Sequence, residues 1–256
     1  MNNSPIGMFD SGIGGITIFN SIQKLLPKED IIYYSDNLNS PYGNKSKSEI
    51  LRLSIKNTKL LIDKGCKIII VACNTATTNS IENLRSNFNI PFVGIEPAIK
   101  PAAMQTKSGL IGVLATKGTL TSGLFNNTAH SFGSDVKIIE KNAEGLVELV
   151  ESGIFEGKEI DKILKKNLTP MINEKIDHLV LGCTHYPILI NAIKSLIPES
   201  VKIIDSGEAV AKQTKKLIQE NKLEKDFFKA SYYFYCNGSN KSLNKILNNK
   251  FVINKI

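Results

Sequence analysis

The sequence has little with which to build a membrane span, a disulfide framework or a nucleic-acid surface. No apolar run approaches the roughly 20 residues needed to cross a bilayer, and the N-terminus, MNNSPIGMFD, lacks the basic-then-apolar layout of a secretion signal. A cytoplasmic location is expected. Four cysteines, at positions 66, 73, 183 and 236, are too few and too scattered to staple the chain, so free thiols in a reducing compartment are the expected state. Arg occurs only as Arg52 and Arg85, so the net charge of +8 comes almost entirely from Lys. These lysines are dispersed along helical stretches such as 158–166 and 212–222, which reads as a solvated surface and argues against a nucleic-acid partner. No low-complexity linker separates the two halves.

What is present is a core of α/β type. A chain of 256 residues with 42% hydrophobic content can bury one large α/β domain or two small ones. Short apolar runs rich in β-branched residues recur at 5–9, 30–35, 67–72, 91–95, 109–115, 135–139, 177–182 and 201–204, each followed by a longer stretch of helical pattern. This alternation predicts parallel architecture. The run CKIIIVA at 66–72 is apolar almost without interruption, as expected of a strand buried on both faces, and it ends at Cys73. DHLVLG at 177–182 has the same character and ends at Cys183. Beyond them, Thr77, Thr78, Asn79 or Ser80 can cap a helix running to about Phe88, and Pro187 suits the first turn of the next helix. Each cysteine is thus predicted on a loop at the C-terminal end of a strand, where open parallel sheets bind their ligands. The Pro-marked passage 90–103 and the region 203–210 read as crossovers. A weak internal echo, FDSGIGGIT at 9–17 against LATKGTLTSG at 114–123 and CNT at 73–75 against CTH at 183–185, is consistent with two similar lobes facing each other across a cleft.

Two thiols on equivalent loops suit inversion at a carbon acid. One thiolate removes an α-proton, and the opposite thiol delivers a proton to the other face of the planar carbanion. A thiol with an ordinary pKa of about 8.5 must be partly ionised to do this, so hydrogen-bond donors and helix N-termini are expected beside it. Cys66 and Cys236 lie in apolar strand-like contexts and read as packing. Cys73 and Cys183 stand instead in polar turns, beside Asn74 and Thr75 or Thr184 and His185. Metal binding by Cys183 and His185, with Cys73 as a third ligand, is a competing reading, but no CxxC, HExxH or paired acidic cluster accompanies them. A Cys–His hydrolase is another, and it leaves the second loop cysteine without a role. The segment MFDSGIGGIT at 8–17 places Asp10 and Ser11 after the first strand and opens a Gly-rich turn. It fails GxGxxG because position 17 is Thr, and it fails the Walker pattern, so its glycines read as permitting a tight turn and close backbone approach. GNKS at 43–46 resembles only the tail of a phosphate loop.

Five motifs, FDSGIGG at 9–15, SDNLNSPYGNKS at 35–46, VACNTATT at 71–78, GVLATKGT at 112–119 and LGCTHYPIL around Cys183, have the order and spacing seen in glutamate racemases and together span most of the chain. The chain therefore resembles the cofactor-independent aspartate/glutamate racemase family. The resemblance implies an α/β fold of two similar doubly wound parallel-sheet domains, 1–96 plus 207–256 and 97–206, with the active site in the cleft between them. It implies that Cys73 and Cys183 are paired acid/base thiols, Cys73 serving the D- and Cys183 the L-enantiomer. Asp10 is similar to the acid that assists the first thiol and contacts the substrate ammonium, His185 to the group assisting the second, and Glu151 to an acidic residue near it. Ser11, Tyr42, Gly43, Asn74, Thr75 and Thr184 resemble the substrate-contacting set, and Thr116 and Thr119 match additional hydroxyl positions. The implied substrates are L- and D-glutamate, with no cofactor, metal or membrane partner, and a homodimer is expected. No motif contains Arg, so the two carboxylates would be bound by backbone N–H groups, hydroxyls and an Asn side chain. The alternatives are a racemase of the same superfamily acting on aspartate, and a basic regulatory or nucleic-acid-binding protein.

Overall fold

In the computed structural model, which describes residues 3–131, 136–225 and 229–256, all eight of the apolar runs contribute strands. The first part of the chain forms β1 (Ile6–Asp10), α1 (Ile16–Leu25), β2 (Ile31–Ser35), α2 (Lys47–Asp63), β3 (Ile68–Val71), α3 (Asn74–Asn87) and β4 (Phe92–Gly94). There follow α4 (Ile99–Gln105), β5 (Leu110–Ala115), α5 (Lys117–Leu120), α6 (Gly123–His130), β6 (Lys137–Asn142), α7 (Leu146–Glu151), α8 (Lys158–Asn173), β7 (His178–Gly182), α9 (Ile190–Lys194) and β8 (Lys202–Ile204). The chain closes with α10 (Gly207–Glu220), β9 (Tyr232–Cys236), α11 (Lys241–Ile246) and β10 (Ile253–Lys255). The strand expected at 135–139 runs from 137 to 142, and residue 135 lies outside the described residues. GNKS serves a helix start, since Ser46 caps α2 by accepting the Glu49 N–H at 3.3 Å.

Two sheets result, with strand orders β10-β9-β2-β1-β3-β4 and β6-β5-β7-β8, and every pairing in both is parallel. The order β2-β1-β3-β4 in the first sheet has the same form as β6-β5-β7-β8 in the second, which is the physical content of the internal echo. In each, the order reverses direction beside the founding strand, opening a crevice at the strand ends. The apolar runs are continuous because β1, β2, β3 and β7 are buried along their whole length.

Side chains alternate between two faces of each sheet. In the first sheet Met8, Ile68 and Ile70 face α1 and α10, while Phe9, Ile69 and Val71 face α2 and α3. In the second sheet Leu179 and Leu181 face α7 and α8, while Val113 and Val180 face α4 and α6. The cluster under α1 and α10 is continuous with that under α7 and α8, with buried Ile13 and Leu146 among its members, so one apolar core joins the two sheets. Each fully buried aliphatic side chain contributes about 1.5–3 kcal/mol.

The strand-like context of Cys236 is β9, and with β10 the C-terminal segment extends the edge of the first sheet. Phe234 of β9 is buried, with its ring 5.1 Å from that of Phe19 and 4.9 Å from that of Phe251. This aromatic cluster fastens the segment to α1. Among the described residues no helix is long and apolar enough to cross a membrane.

Candidate active site

The two reversal points place the polar loops. In the first sheet Phe9 pairs with Val71, so Ser11 and Cys73 leave the sheet side by side. In the second Ala115 pairs with Gly182, so Thr116 and Cys183 do the same. The loops meet around a small buried cavity lined by Ser11, Tyr42, Gly43, Cys73, Asn74 and Thr75 from one side and by Thr116, Cys183, Thr184 and His185 from the other. Pro41, Val147 and Gly182 complete the wall and are not singled out by the sequence. Pro41 lies within the SPYG motif and Gly182 directly precedes the thiol, whereas Val147 carries no sequence signal. Among the described residues no Lys or Arg lines the cavity. Asp10, Thr119 and Glu151 stand one layer behind the wall, each bonded to a residue that forms it.

Cys73 is itself the N-cap of α3. Its Sγ accepts the Ala76 N–H at 3.4 Å, so the helix starts before the Thr77–Ser80 region expected to cap it. Those side chains are engaged elsewhere: the hydroxyls of Thr77, Thr78 and Ser80 donate to the carbonyls of Val71, Asn74 and Ala76, and the Asn79 amide donates to the Thr75 carbonyl. The Cys73 thiol also lies 3.5 Å from Ser11 Oγ. Burial, and then the charge of Asp10, push its pKa well up, against the pull of the Ser11 and Ala76 hydrogen bonds.

Asp10 is buried, and desolvation raises its pKa from 3.8 to about 6 even though its carboxylate accepts the N–H groups of Ser11 at 2.8 Å and Gly15 at 2.6 Å. Thr184, from the other sheet, donates its hydroxyl to the same carboxylate at 3.3 Å. Beside Cys183 the arrangement differs. His185 Nδ1 is 3.7 Å from Cys183 Sγ, and its Nε2 is 2.5 Å from Glu151 Oε1. Burial opposes the imidazolium, but the hydrogen bonds and charges of Cys183 and Glu151 outweigh it and hold the His185 pKa well above its usual range.

The glycine loop meets this pair. Ile13 N–H donates to Glu151 Oε1 at 2.7 Å. A Cβ on Gly12 would fall 1.7 Å from that oxygen, and one on Gly14 would fall 2.5 Å from His185 Nδ1. Neither glycine has a positive φ, so close approach, not a left-handed turn, is what requires them. Across the cavity, Thr75 Oγ1 lies 2.8 Å from Thr116 Oγ1 and 3.2 Å from Thr119 Oγ1, a second polar bridge between the two sides. Tyr42 is fixed by hydrogen bonds to Asp36 and, at 3.0 Å, to Asn57.

Asn74 points to a polar ligand. It is only 3% exposed and lines the cavity, yet neither its Oδ1 nor its Nδ2 has a partner among the described residues. A buried amide in that state is costly and is ordinarily satisfied. The cavity volume is about 10 Å³, near that of a single water, so the two sides are closed on each other. A roomier groove of about 710 Å³ beside α4 and α10 contains neither thiol of this cavity. Among the described residues no three His, Cys, Asp or Glu side chains are grouped to hold a metal ion. Cys66 and Cys236 are buried and outside the cavity wall, and burial pushes the Cys66 thiol up to about 12.

Residues 17–214 match the model of the Asp/Glu/hydantoin racemase family. The chain is 44% identical over 218 residues to a glutamate racemase of Herpetosiphon aurantiacus, covering 85% of this chain and 86% of that protein. The fold is similar to that of glutamate racemase isoform RacE1 from Bacillus anthracis, with a TM-score of 0.89 and 32% identity over 100% of this chain and 98% of the other. It is also similar to that of the Francisella tularensis glutamate racemase in complex with D-glutamate, with a TM-score of 0.86, 30% identity and the same two coverages.

The Gly12 contact yields a direct test. Gly12→Ala inserts a methyl where Glu151 Oε1 now stands, and the displacement is expected to lower stability by about 1–3 kcal/mol, read as a fall in the urea midpoint with unchanged slope. A midpoint equal to that of the parent chain would show that the loop does not press on Glu151.

Proposed function

The chain belongs to the Asp/Glu/hydantoin racemase family, and from that premise we propose that it interconverts L- and D-glutamate without a cofactor, using Cys73 and Cys183 as paired acid and base. The observation that carries this reading is that the two thiols, on loops of different sheets, line one cavity in which a buried Asn74 leaves its amide unpartnered. From L-glutamate, the Cys183 thiolate takes the Cα proton. The Cα–H bond breaks, an S–H bond forms, and the electron pair remains on a planar carbanion conjugated with the α-carboxylate. Cys73 then gives its thiol proton to the opposite face, leaving D-glutamate and a Cys73 thiolate. The reverse direction runs the same steps backward.

The environments of the two thiols suit these roles. A protonated His185, oriented by Glu151, donates toward Cys183. Burial and the Asp10 charge favour the protonated form of Cys73. An ammonium group beside Asp10 offsets that charge, and the Ala76 N–H at the start of α3 then favours the Cys73 thiolate when D-glutamate is bound. Ser11, Asn74, Thr75 and Thr184 supply amide and hydroxyl groups for the carboxylates; Tyr42, Gly43, Thr116 and Thr119 shape and brace the same wall. The division into domains at 1–96 plus 207–256 and 97–206, a homodimer, a cytoplasmic location suited to four unpaired thiols, and supply of D-glutamate for peptidoglycan belong to the same proposal.

In deuterated water both enantiomers of glutamate should gain deuterium at Cα, glutamate should turn over faster than aspartate, and Cys73→Ala and Cys183→Ala should each lower racemisation by about 10²–10⁴-fold. Racemisation that survives in either variant would sink the two-thiol mechanism. The pH profile gives a second test. With the Asp10 pKa raised to about 6, its carboxylate is lost as pH falls through that value, and kcat/KM should drop about tenfold per unit below it. An acid limb near the ordinary carboxylate value of about 4 would contradict a role for Asp10 in the free enzyme.

A further inference from the structure

The C-terminal segment makes contacts that the proposed chemistry does not use. It joins the first sheet through β9 and β10, but between them α11, anchored by buried Leu243, reaches the end of α7 on the other side. Ser242 Oγ donates to the Glu151 carbonyl at 2.5 Å, and Lys245 Nζ donates to the Gly153 carbonyl at 2.7 Å. The same ammonium lies 5.1 Å from the centre of the Phe155 ring. The chain turns sharply here: Gly153 has φ +79°, its N–H donates to the Val150 carbonyl, and the Ile154 N–H reaches back to the Leu149 carbonyl at 3.0 Å. Carbonyls in the last turn of a helix lack partners within the helix, and a cation there is favoured by the helix dipole. Ser242 and Lys245 supply the donors and the cation.

Glu151 is therefore held twice from the first sheet. Its carbonyl is held by Ser242, and its carboxylate by Ile13 N–H in the glycine loop. Between those grips the carboxylate contacts His185, which contacts Cys183. Cys73 Sγ donates to Ser11 Oγ and accepts the Ala76 N–H, and neither partner shares a hydrogen bond with α11 among the described residues. We infer that Ser242 and Lys245 are positioning residues for the Cys183 half of the reaction, fastening the end of α7 so that Glu151 orients His185 when the two sides are closed. This rests on the racemase reading above.

Comparing rates in the two directions cannot test the inference, because enantiomers have equal free energy and any variant must lose kcat/KM equally both ways. Isotope effects can. When transfer by Cys183 slows, removal of the Cα proton becomes more limiting for L-glutamate and less limiting for D-glutamate. Lys245→Ala, assayed with each enantiomer carrying deuterium at Cα, should lower kcat about tenfold, raise the isotope effect on kcat/KM for L-glutamate and lower it toward one for D-glutamate. Ser242→Ala should shift both effects in the same senses by less, and Lys245→Arg should restore the parent values. Ser242→Ala and Lys245→Arg keep the test decisive if Lys245→Ala does not fold. Isotope effects that move together, move in the reverse senses or do not move would overturn the inference while leaving racemisation intact. A parent enzyme that does not racemise glutamate would overturn the racemase reading, and this inference with it.

Discussion

One carboxylate oxygen, Glu151 Oε1, carries the meeting of the two halves of this molecule. It lies on a helix packed against the second sheet, accepts the Ile13 N–H from the glycine loop of the first, and contacts His185 beside Cys183. The parallel sheets explain why such a point exists. Each sheet reverses its strand order next to its founding strand, and each presents the loops at that reversal to the other. Small residues at Gly12 and Gly14 let the loop come close enough for Glu151 and His185 to reach it. Apolar packing through Ile13 and Leu146 supports the contact from beneath.

The site is held at some expense to stability. Folding raises the Asp10 pKa from 3.8 to about 6, so the folded chain retains a proton that the unfolded chain releases between those values. The stability this group contributes is present at low pH and is lost as pH rises through 6, which leaves the folded state about 3 kcal/mol less favoured at neutral pH. The unpartnered amide of Asn74 adds to the burden. A polar ligand carrying a cation and hydrogen-bonding groups relieves both, so binding energy and catalytic arrangement draw on the same buried groups. The thiols have different neighbours: Cys73 a helix start and a nearby anion, Cys183 an imidazole backed by a carboxylate.

Much of the architecture is legible in the chain because burial on both faces leaves a plain record. The uninterrupted IIIV of β3 and LVL of β7 mark central parallel strands, and each points to the cysteine that follows. The edge of the first sheet is harder to read. β9 carries four consecutive aromatic residues of which only Phe234 is fully buried, β10 has three residues, and no local pattern says which strand either one joins. The start of α3 is displaced from its expected position because capping-type residues follow Cys73 as far as Ser80 and a thiol is not among the preferred caps. The polar character of the loops is visible in the sequence, and so is the need for close approach at the glycines. What approaches them is not: Glu151 and His185 are 34 residues apart and meet only through the packing of α7 on the second sheet. Resemblance to a family points to both residues, and the geometry supplies the physical reason.

The central claim is stereochemical, and the most direct measurement is a structure with glutamate bound in the cavity between the two sheets. The two-thiol mechanism predicts Cys73 Sγ and Cys183 Sγ on opposite faces of Cα, each about 3–4 Å from it, with the ammonium group beside Asp10. Both thiols on one face, or either one beyond reach of Cα, would contradict it.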